Sequence, residues 1–107
     1  MFARNVSFRL KPNGVAEFTE TIEKNIIPLL RKQRGFQDEI TFVDPEKLEA
    51  IGISLWENKA DVDAYNRGTY PEVLKGLAKV VEGTPQVRTF EVCNSTFHKV
   101  AARAVAF

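Results

Sequence analysis

The stretch FQDEITFVDPEKLEAIGISLW, residues 36–56, decides how the fold of this chain is predicted. Apolar side chains alternate with other residues over 36–43 and 48–56, and Asp44-Pro45-Glu46-Lys47 separates the two runs. A period of two indicates strands, and a short polar linker with proline indicates a turn. The stretch therefore predicts a β-hairpin in the middle of the chain.

The segment before the hairpin predicts a strand and then a helix. Residues 2–10 alternate like the hairpin runs. Apolar residues then recur every three or four positions from Val15 to Leu30, which is the spacing of one helix face. Pro28 lies inside this helix and is expected to kink or divide it.

The segment after the hairpin predicts a second helical region and a last strand. Asn58 is a candidate cap, Gly68 interrupts the helical pattern, and Thr69-Tyr70-Pro71-Glu72 matches a capping box. A final strand is expected over residues 87–98, followed by an apolar tail at 101–107.

The order strand, helix, strand, strand, helix, strand predicts an α+β fold of the ferredoxin-like βαββαβ type. Two split crossovers around a hairpin give a four-stranded antiparallel sheet with two helices on one face. The 107 residues are expected to form a single domain, 1–107.

Composition excludes several classes of function. The net charge of +1 does not suggest a nucleic-acid partner. The glycines show no phosphate-binding spacing, and HExxH and CxxC motifs are absent, so the sequence implies no nucleotide, other cofactor or metal. One cysteine, no signal-peptide pattern and no apolar run of 18 residues predict a cytoplasmic protein without a membrane span.

The sheet face away from the helices is expected to carry the ligand site. Strand parity assigns the large apolar residues to the helix side, namely Val6, Phe8, Ile40, Phe42, Ile51, Ile53, Leu55, Phe90 and Val92. The opposite set is small and weakly polar: Ala3, Asn5, Ser7, Thr41, Ala50, Gly52, Ser54, Trp56, Thr89 and Cys93. Such a surface leaves room for a small aromatic or apolar ligand, and a second copy commonly closes it, which predicts a homodimer.

Short motifs in this layout resemble the antibiotic biosynthesis monooxygenase family of dimeric α/β-barrel proteins. They are Arg34-Gly35-Phe36, Leu55-Trp56-Glu57-Asn58, Tyr65-Asn66, Tyr70-Pro71 and Glu91-Val92, in an order that covers nearly the whole chain. The resemblance implies a homodimeric barrel. It also implies that Asn5, on the first strand, is a catalytic hydrogen-bonding residue.

Four further residues are candidate substrate-binding residues: Trp56 and Tyr65 as aromatic walls, Ser7 on the expected cavity face, and His98 near the end of the last strand. For each, structural packing or a rim position is the alternative. The haem-degrading members of the family place an axial histidine where this chain has Lys75, so the resemblance does not extend to haem binding. Cys93 and His98 differ by an odd number of positions, so a regular strand would point them to opposite faces.

Three functions remain open from the sequence. The first is a cofactor-independent monooxygenase acting on quinol-like or polyphenolic aromatic substrates, which can reduce oxygen directly once deprotonated. The second is a non-catalytic protein that binds a small ligand in the same cavity. The third is an isomerase or lyase acting on a small metabolite, with His98 as the candidate base.

Overall fold

The structure, a computed structural model, describes residues 1–100, so the apolar tail at 101–107 lies outside the described residues. Its strands are β1 (Phe2–Leu10), β2 (Phe36–Asp44), β3 (Glu49–Trp56) and β4 (Val81–Glu91). They form one antiparallel sheet in the order β2-β3-β1-β4. The predicted ferredoxin-like α+β fold is confirmed, and the sheet is open rather than closed into a barrel.

The hairpin forms where the sequence predicts it, with β2 and β3 joined through residues 45–48. The Asp44 side chain organises the turn, because its Oδ1 accepts hydrogen bonds from the backbone N–H groups of Glu46 and Lys47, both at 3.1 Å. Leu48 closes the turn with a φ of 56°. An aspartate that accepts bonds from the residues after it is a common device for reversing the chain.

The helices cover one face of the sheet. The first region consists of α1 (Val15–Thr21), a π-helical turn (Ile22–Ile26) and α2 (Ile27–Arg31), and the second of α3 (Lys59–Gly68) and α4 (Tyr70–Leu77). The predicted divisions near Pro28 and at Gly68 are confirmed. The predicted capping box is wrong. Thr69 Oγ1 donates to Gln33 Oε1 at 3.1 Å and makes no capping hydrogen bond to α4. Among residues 1–100, no helix combines the length and apolar character that crossing a bilayer requires.

The π-helical turn keeps a column of side chains on the sheet. Phe18, Ile22, Ile26 and Leu30 are four residues apart and all buried. On an α-helix each such step advances by about 40° around the axis, so three steps would carry Leu30 well away from Phe18. The wider turn, in which the Ile27 N–H bonds to the Ile22 carbonyl, reverses part of that drift. Pro28, which has no N–H to bond to the Lys24 carbonyl, favours the irregularity.

The last strand differs from its prediction. β4 begins at Val81 and ends at Glu91, so it starts six residues earlier than the predicted 87 and does not reach 98. Cys93 and His98 therefore lie in an irregular segment, and their sequence parity says nothing about the faces on which they lie. The prediction followed the apolar residues after Gln86 and missed the edge pairing of Val81 and Glu82 with the end of β1.

The predicted assignment of the two sheet faces is wrong for most of the strands. The helices bury Arg4, Val6 and Phe8 on β1, and the residues that pair with these on β3 are Ser54, Gly52 and Ala50. The members of the predicted uncovered set that lie on the helix side are Thr41, Ala50, Gly52, Ser54, Trp56 and Thr89. The physical reason is volume: the helices bring large side chains, so the sheet beneath them carries small ones.

The opposite sheet face, called the open face below, has large apolar side chains at its centre and charged residues beside them, namely Arg9, Asp38, Glu49 and Arg88. It carries Ile40, Phe42, Ile51, Ile53, Leu55 and Phe90, of which Ile40 is 54% exposed and Phe42 51% exposed. Ala3, Asn5 and Ser7 lie on this face as predicted. Because large apolar side chains occur on both faces, their presence alone cannot tell which face the helices cover.

Candidate functional site

The small residues of the sheet do border a cavity, but it lies between the sheet and the helices. Its volume is about 40 Å³. The polar lining residues are Arg4, Glu39, Thr41, Ser54, Tyr65 and Tyr70, and the apolar ones come from β1, β3, α2, α4 and the π-helical turn. A mostly apolar cavity with a few convergent polar groups is the usual form of a small-ligand site.

Arg4 places a buried positive charge in this cavity. The residue is only 3% exposed, and its Nε donates to Asn66 Oδ1 at 2.7 Å. Its Nη2 has no hydrogen-bond partner, and among residues 1–100 no carboxylate forms an ion pair with it. Burial lowers the pKa of Arg4, although the group remains charged at neutral pH. A buried, unpaired guanidinium is costly, so it indicates a place for an anionic or oxygen-bearing ligand.

Two tyrosines from the second helical region cover the guanidinium. The Arg4 Cζ lies 4.1 Å from the ring centroid of Tyr70 and 4.9 Å from that of Tyr65. The Tyr70 hydroxyl lies beside the Arg4 guanidinium, which lowers the pKa of that phenol in opposition to burial, and neither the hydroxyl nor Arg4 Nη2 has a well-formed hydrogen bond within residues 1–100. Burial raises the pKa of Tyr65 to about 12 and also raises the pKa of Tyr70, so both phenols stay protonated and can donate. The two unpartnered donors can bind one oxygen of a ligand.

Glu39 supplies a carboxylate to the same cavity from β2. Thr41 Oγ1 donates to Glu39 Oε1, and Gly52 leaves space beside it, since a Cβ at Gly52 would lie 3.9 Å from that oxygen. Burial raises the pKa of Glu39, and the hydrogen bond from Thr41 partly offsets this. Arg4 and Glu39 each pair with Ser54, from opposite sides of β3. The cation and the carboxylate therefore flank the central strand.

Trp56 supports the cavity from behind rather than lining it. It is fully buried, its Nε1 donates to Ser54 Oγ at 2.8 Å, and its ring centroid lies 5.0 Å from that of Tyr65. Phe36 packs edge-on against its other side. The packing fixes the positions of Ser54 and Tyr65, which do line the cavity.

The structure does not bring the five sequence-predicted site residues together. Tyr65 lines the cavity and Trp56 lies behind it, whereas Asn5 and Ser7 lie on the open face with the sheet between them and the cavity. His98 lies in the segment after β4, where its Nε2 contacts the Asp38 carboxylate. Asn5, Ser7 and His98 therefore remain predictions that this cavity does not support.

A larger groove lies at the other end of β1, where the pairing with β4 slips between Ser7 and Arg9. It has a volume of about 560 Å³ and is open to solvent, with Ser7, Arg9, Glu49 and Glu82 in its lining. All four residues are exposed, and neither of the buried unpartnered polar atoms lies there. The buried cavity is therefore the better candidate site.

Of the cavity's charged residues, Arg4 carries a signal in the sequence and Glu39 does not. Arg4 has the parity of Val6 and Phe8, so a charged residue stands in a row that was predicted to be buried. Charged residues are seldom fully buried without a purpose, which makes such a position a candidate site. Glu39 has the parity of Thr41 and could be placed only once the faces of β2 were known.

No family model and no curated protein sequence matches this chain. Solved structures do: a protein of unknown function from Nitrosomonas europaea superposes with a TM-score of 0.75 at 15% identity, covering 92% of this chain and 95% of that one. A candidate antibiotic biosynthesis monooxygenase from Bordetella bronchiseptica gives a TM-score of 0.73 at 19% identity, covering 85% and 95%. A monooxygenase from Streptomyces coelicolor, solved in complex with nanaomycin D, gives 0.73 at 14% identity and covers 92% of both chains.

The chain has the fold of the antibiotic biosynthesis monooxygenases. The predicted resemblance is confirmed at the level of the fold. At identities below 20%, the likeness concerns the backbone, and the site residues have to be argued from this chain.

Haem, which some proteins of this fold bind, does not fit the residues present. Lys75, at the position where the resemblance places an axial histidine, is exposed on α4. The single histidine, His98, does not line the cavity. A cavity of about 40 Å³ is also far too small for a macrocycle.

Proposed function

We propose that this protein binds a single-ring, quinol-like aromatic substrate between the sheet and the helices and promotes its oxygenation without a cofactor. The observation that carries the proposal is the pair of neighbouring buried donors, Arg4 Nη2 and the Tyr70 hydroxyl, which have no well-formed hydrogen bond within residues 1–100 and lie in an aromatic-walled cavity. Two neighbouring donors in a dry site can stabilise a phenolate oxygen. A benzene ring occupies a cavity of about 150 Å³, so a substrate enters this cavity of about 40 Å³ only if the side chains that cover it move outward, and a single ring requires the least movement.

The proposed reaction requires few protein groups. A deprotonated dihydroxybenzene passes four electrons to one O₂: a ring C–H becomes C–O, the second oxygen atom leaves as water, and the product is a hydroxyquinone. Stabilising the phenolate makes the ring a better reductant. The apolar walls exclude water from the reacting ring.

The test is binding and turnover by wild type, Arg4→Met and Arg9→Met. Methionine keeps much of the length of arginine without its charge, and Arg9 is the matched control because it is exposed on the other face of the same strand. We expect wild type and Arg9→Met to bind hydroquinone and to incorporate one atom of ¹⁸O₂. Arg4→Met should bind at least about tenfold more weakly, as expected for the loss of a charged hydrogen bond.

Two outcomes would redirect the proposal. Binding without oxygen uptake would favour the non-catalytic ligand-binding protein. Loss of turnover in Asn5→Ala by about a hundredfold, with Arg4→Met unaffected, would move the catalytic centre to the open face, where the sequence predicted it. Isomerase or lyase chemistry gains no support from this cavity, because its candidate base, His98, does not line it.

The homodimer is also part of the proposal. The apolar open face exposes Ile40, Phe42 and Phe90, and a second copy that packed its own open face there would remove these side chains from water. Asn5 and Ser7 would then lie at the interface between the copies. A cytoplasmic location is proposed with it, since Cys93 is free and exposed and suits a reducing compartment.

A further inference from the structure

The cavity holds one polar group that binding at Arg4 leaves unused. The Glu39 carboxylate lies among apolar walls, and its one side-chain hydrogen bond in the described structure comes from Thr41. A carboxylate is ordinarily hydrated or paired with a cation, yet Glu39 forms no ion pair within residues 1–100. A partly buried carboxylate with spare acceptor capacity can receive a proton from a ligand.

The position of Glu39 relative to Arg4 is set by the sheet. Arg4, Ser54 and Glu39 are cross-strand neighbours on β1, β3 and β2, so their side chains rise from the same face. Adjacent strands are about 4.8 Å apart, which separates the Cα atoms of Arg4 and Glu39 by about 10 Å. Gly52 keeps the floor beside the carboxylate open. Once the cavity widens to admit a ring, groups at opposite ends of that ring can reach Arg4 and Glu39 across this row.

We propose that Glu39 is the proton acceptor of the site, taking the proton from one hydroxyl of a para-dihydroxybenzene whose other oxygen is bound by Arg4 and Tyr70. This inference rests on the proposed function and adds its base and the spacing of the two substrate oxygens. In the step, the O–H bond next to Glu39 breaks, the proton passes to the carboxylate, and the electron pair stays on the phenolate oxygen. An ortho-diol, with both oxygens at one end of the ring, reaches Arg4 but not Glu39.

The step also has a pH dependence of known sign. Glu39 accepts a proton only when it is ionised, and its pKa is raised by burial, so the affinity for the para-diol should rise with pH through a midpoint above the ordinary glutamate value. The other titratable groups lining the cavity are Arg4, Tyr65 and Tyr70, and the α1–α2 layer contributes only Ile22, Ile26 and Leu30. None of these three titratable groups changes charge between pH 4 and 8, because the pKa values of the two tyrosines are raised and arginine stays protonated.

The experiment compares hydroquinone with its isomer catechol by calorimetric titration under argon, from about pH 4 to pH 8, at temperatures well below unfolding. The proteins are wild type, Glu39→Gln and Glu46→Gln, the last being the matched control in the exposed hairpin turn. We expect wild type and Glu46→Gln to bind hydroquinone about tenfold more tightly than catechol. Their affinity for hydroquinone should fall as the pH is lowered and Glu39 becomes protonated. Glu39→Gln should bind both isomers alike, and its affinity for hydroquinone should not fall at low pH.

Equal affinity for the two isomers in wild type, or an unchanged preference in Glu39→Gln, would overturn the role of Glu39 and leave the proposed function standing. Failure of the proposed function gives a different result: neither isomer binds wild type, and the Glu39 role falls with it. Glutamine matches the shape of glutamate and can still accept from Thr41, so thermal unfolding of Glu39→Gln should match or exceed that of wild type at pH 7. The reason is that a carboxylate whose pKa is raised by folding costs stability once pH exceeds that pKa.

Discussion

At the scale of single residues, the site is built from polar groups that fold stability alone would disfavour. Within residues 1–100, the buried Arg4 guanidinium has no carboxylate partner and the Tyr70 hydroxyl has no well-formed hydrogen bond, and burial raises the pKa of Glu39. Each of these groups loses hydrogen bonds to water on folding, and hydrogen bonds within the protein replace them only in part. A ligand that supplies an oxygen and a proton would satisfy all three, which is why we assign them to binding rather than to the core.

Tyr70→Phe tests whether the unpartnered hydroxyl serves a ligand. Phenylalanine keeps the ring above Arg4 and removes only the buried oxygen, so the melting temperature should stay the same or rise slightly. The affinity for hydroquinone should fall about fivefold to tenfold, because one hydrogen bond is lost. Calorimetry and thermal unfolding measure the two effects. Lower stability with unchanged affinity would show that the hydroxyl is structural.

At the scale of secondary structure elements, one glycine connects the two helical regions. Gly35 follows α2 with a φ of 79°, and its carbonyl accepts a hydrogen bond of 2.8 Å from the N–H of Glu57, just after β3. A Cβ at Gly35 would lie 2.1 Å from Asp61 Oδ2 on α3, so α3 approaches closely because position 35 has no side chain. The Arg34-Gly35-Phe36 motif thus has a local structural cause.

Gly35→Ala should destabilise the protein, and Gly76→Ala provides the matched control. The left-handed backbone alone costs alanine about 1–2 kcal/mol, and the overlap with Asp61 adds to it. Gly76 is helical with open space around it, so alanine there should raise the free energy of unfolding by about 0.5–1 kcal/mol. Chemical denaturation of both variants gives the comparison. Equal stability of the two would contradict the close approach of α3.

At the scale of the whole molecule, the sheet separates two surfaces, to which we assign ligand binding and pairing of two copies. The helix side encloses a mostly apolar cavity with a few polar groups, made by one chain, and the open face exposes large apolar side chains. The cavity lining includes none of those exposed residues. Pairing of two copies and ligand binding should therefore be separable.

Phe42→Glu tests that separation. A carboxylate at the centre of an apolar interface is costly to bury, so light scattering should change from twice the 12.1 kDa chain mass to a single chain mass. Ala16→Glu adds the same charge on the exposed side of α1 and should stay dimeric. The affinity for hydroquinone should remain within about threefold of wild type in both. A wild-type protein that is monomeric at micromolar concentration would remove the proposed dimer.

The sequence alone determined the order and type of the elements. The alternation in 36–56, the helical spacing from Val15 to Leu30 and the breaks at Pro28 and Gly68 are local patterns, and the corresponding elements formed as predicted. Local patterns work here because period, caps and breakers act over a few residues. The edge pairing at the start of β4 is long-range, and its position was missed.

Only the tertiary structure decided which face of each strand the helices cover, and with it the site. Large apolar side chains occur on both faces, so the parity of Ile51, Ile53 and Leu55 was compatible with either assignment until the helices were in place. That choice carried Asn5 to the open face and brought Arg4 and Glu39, which lie 35 residues apart in the sequence, into one cavity. The physical reason is that burial depends on what packs against a strand, which its own alternation does not encode.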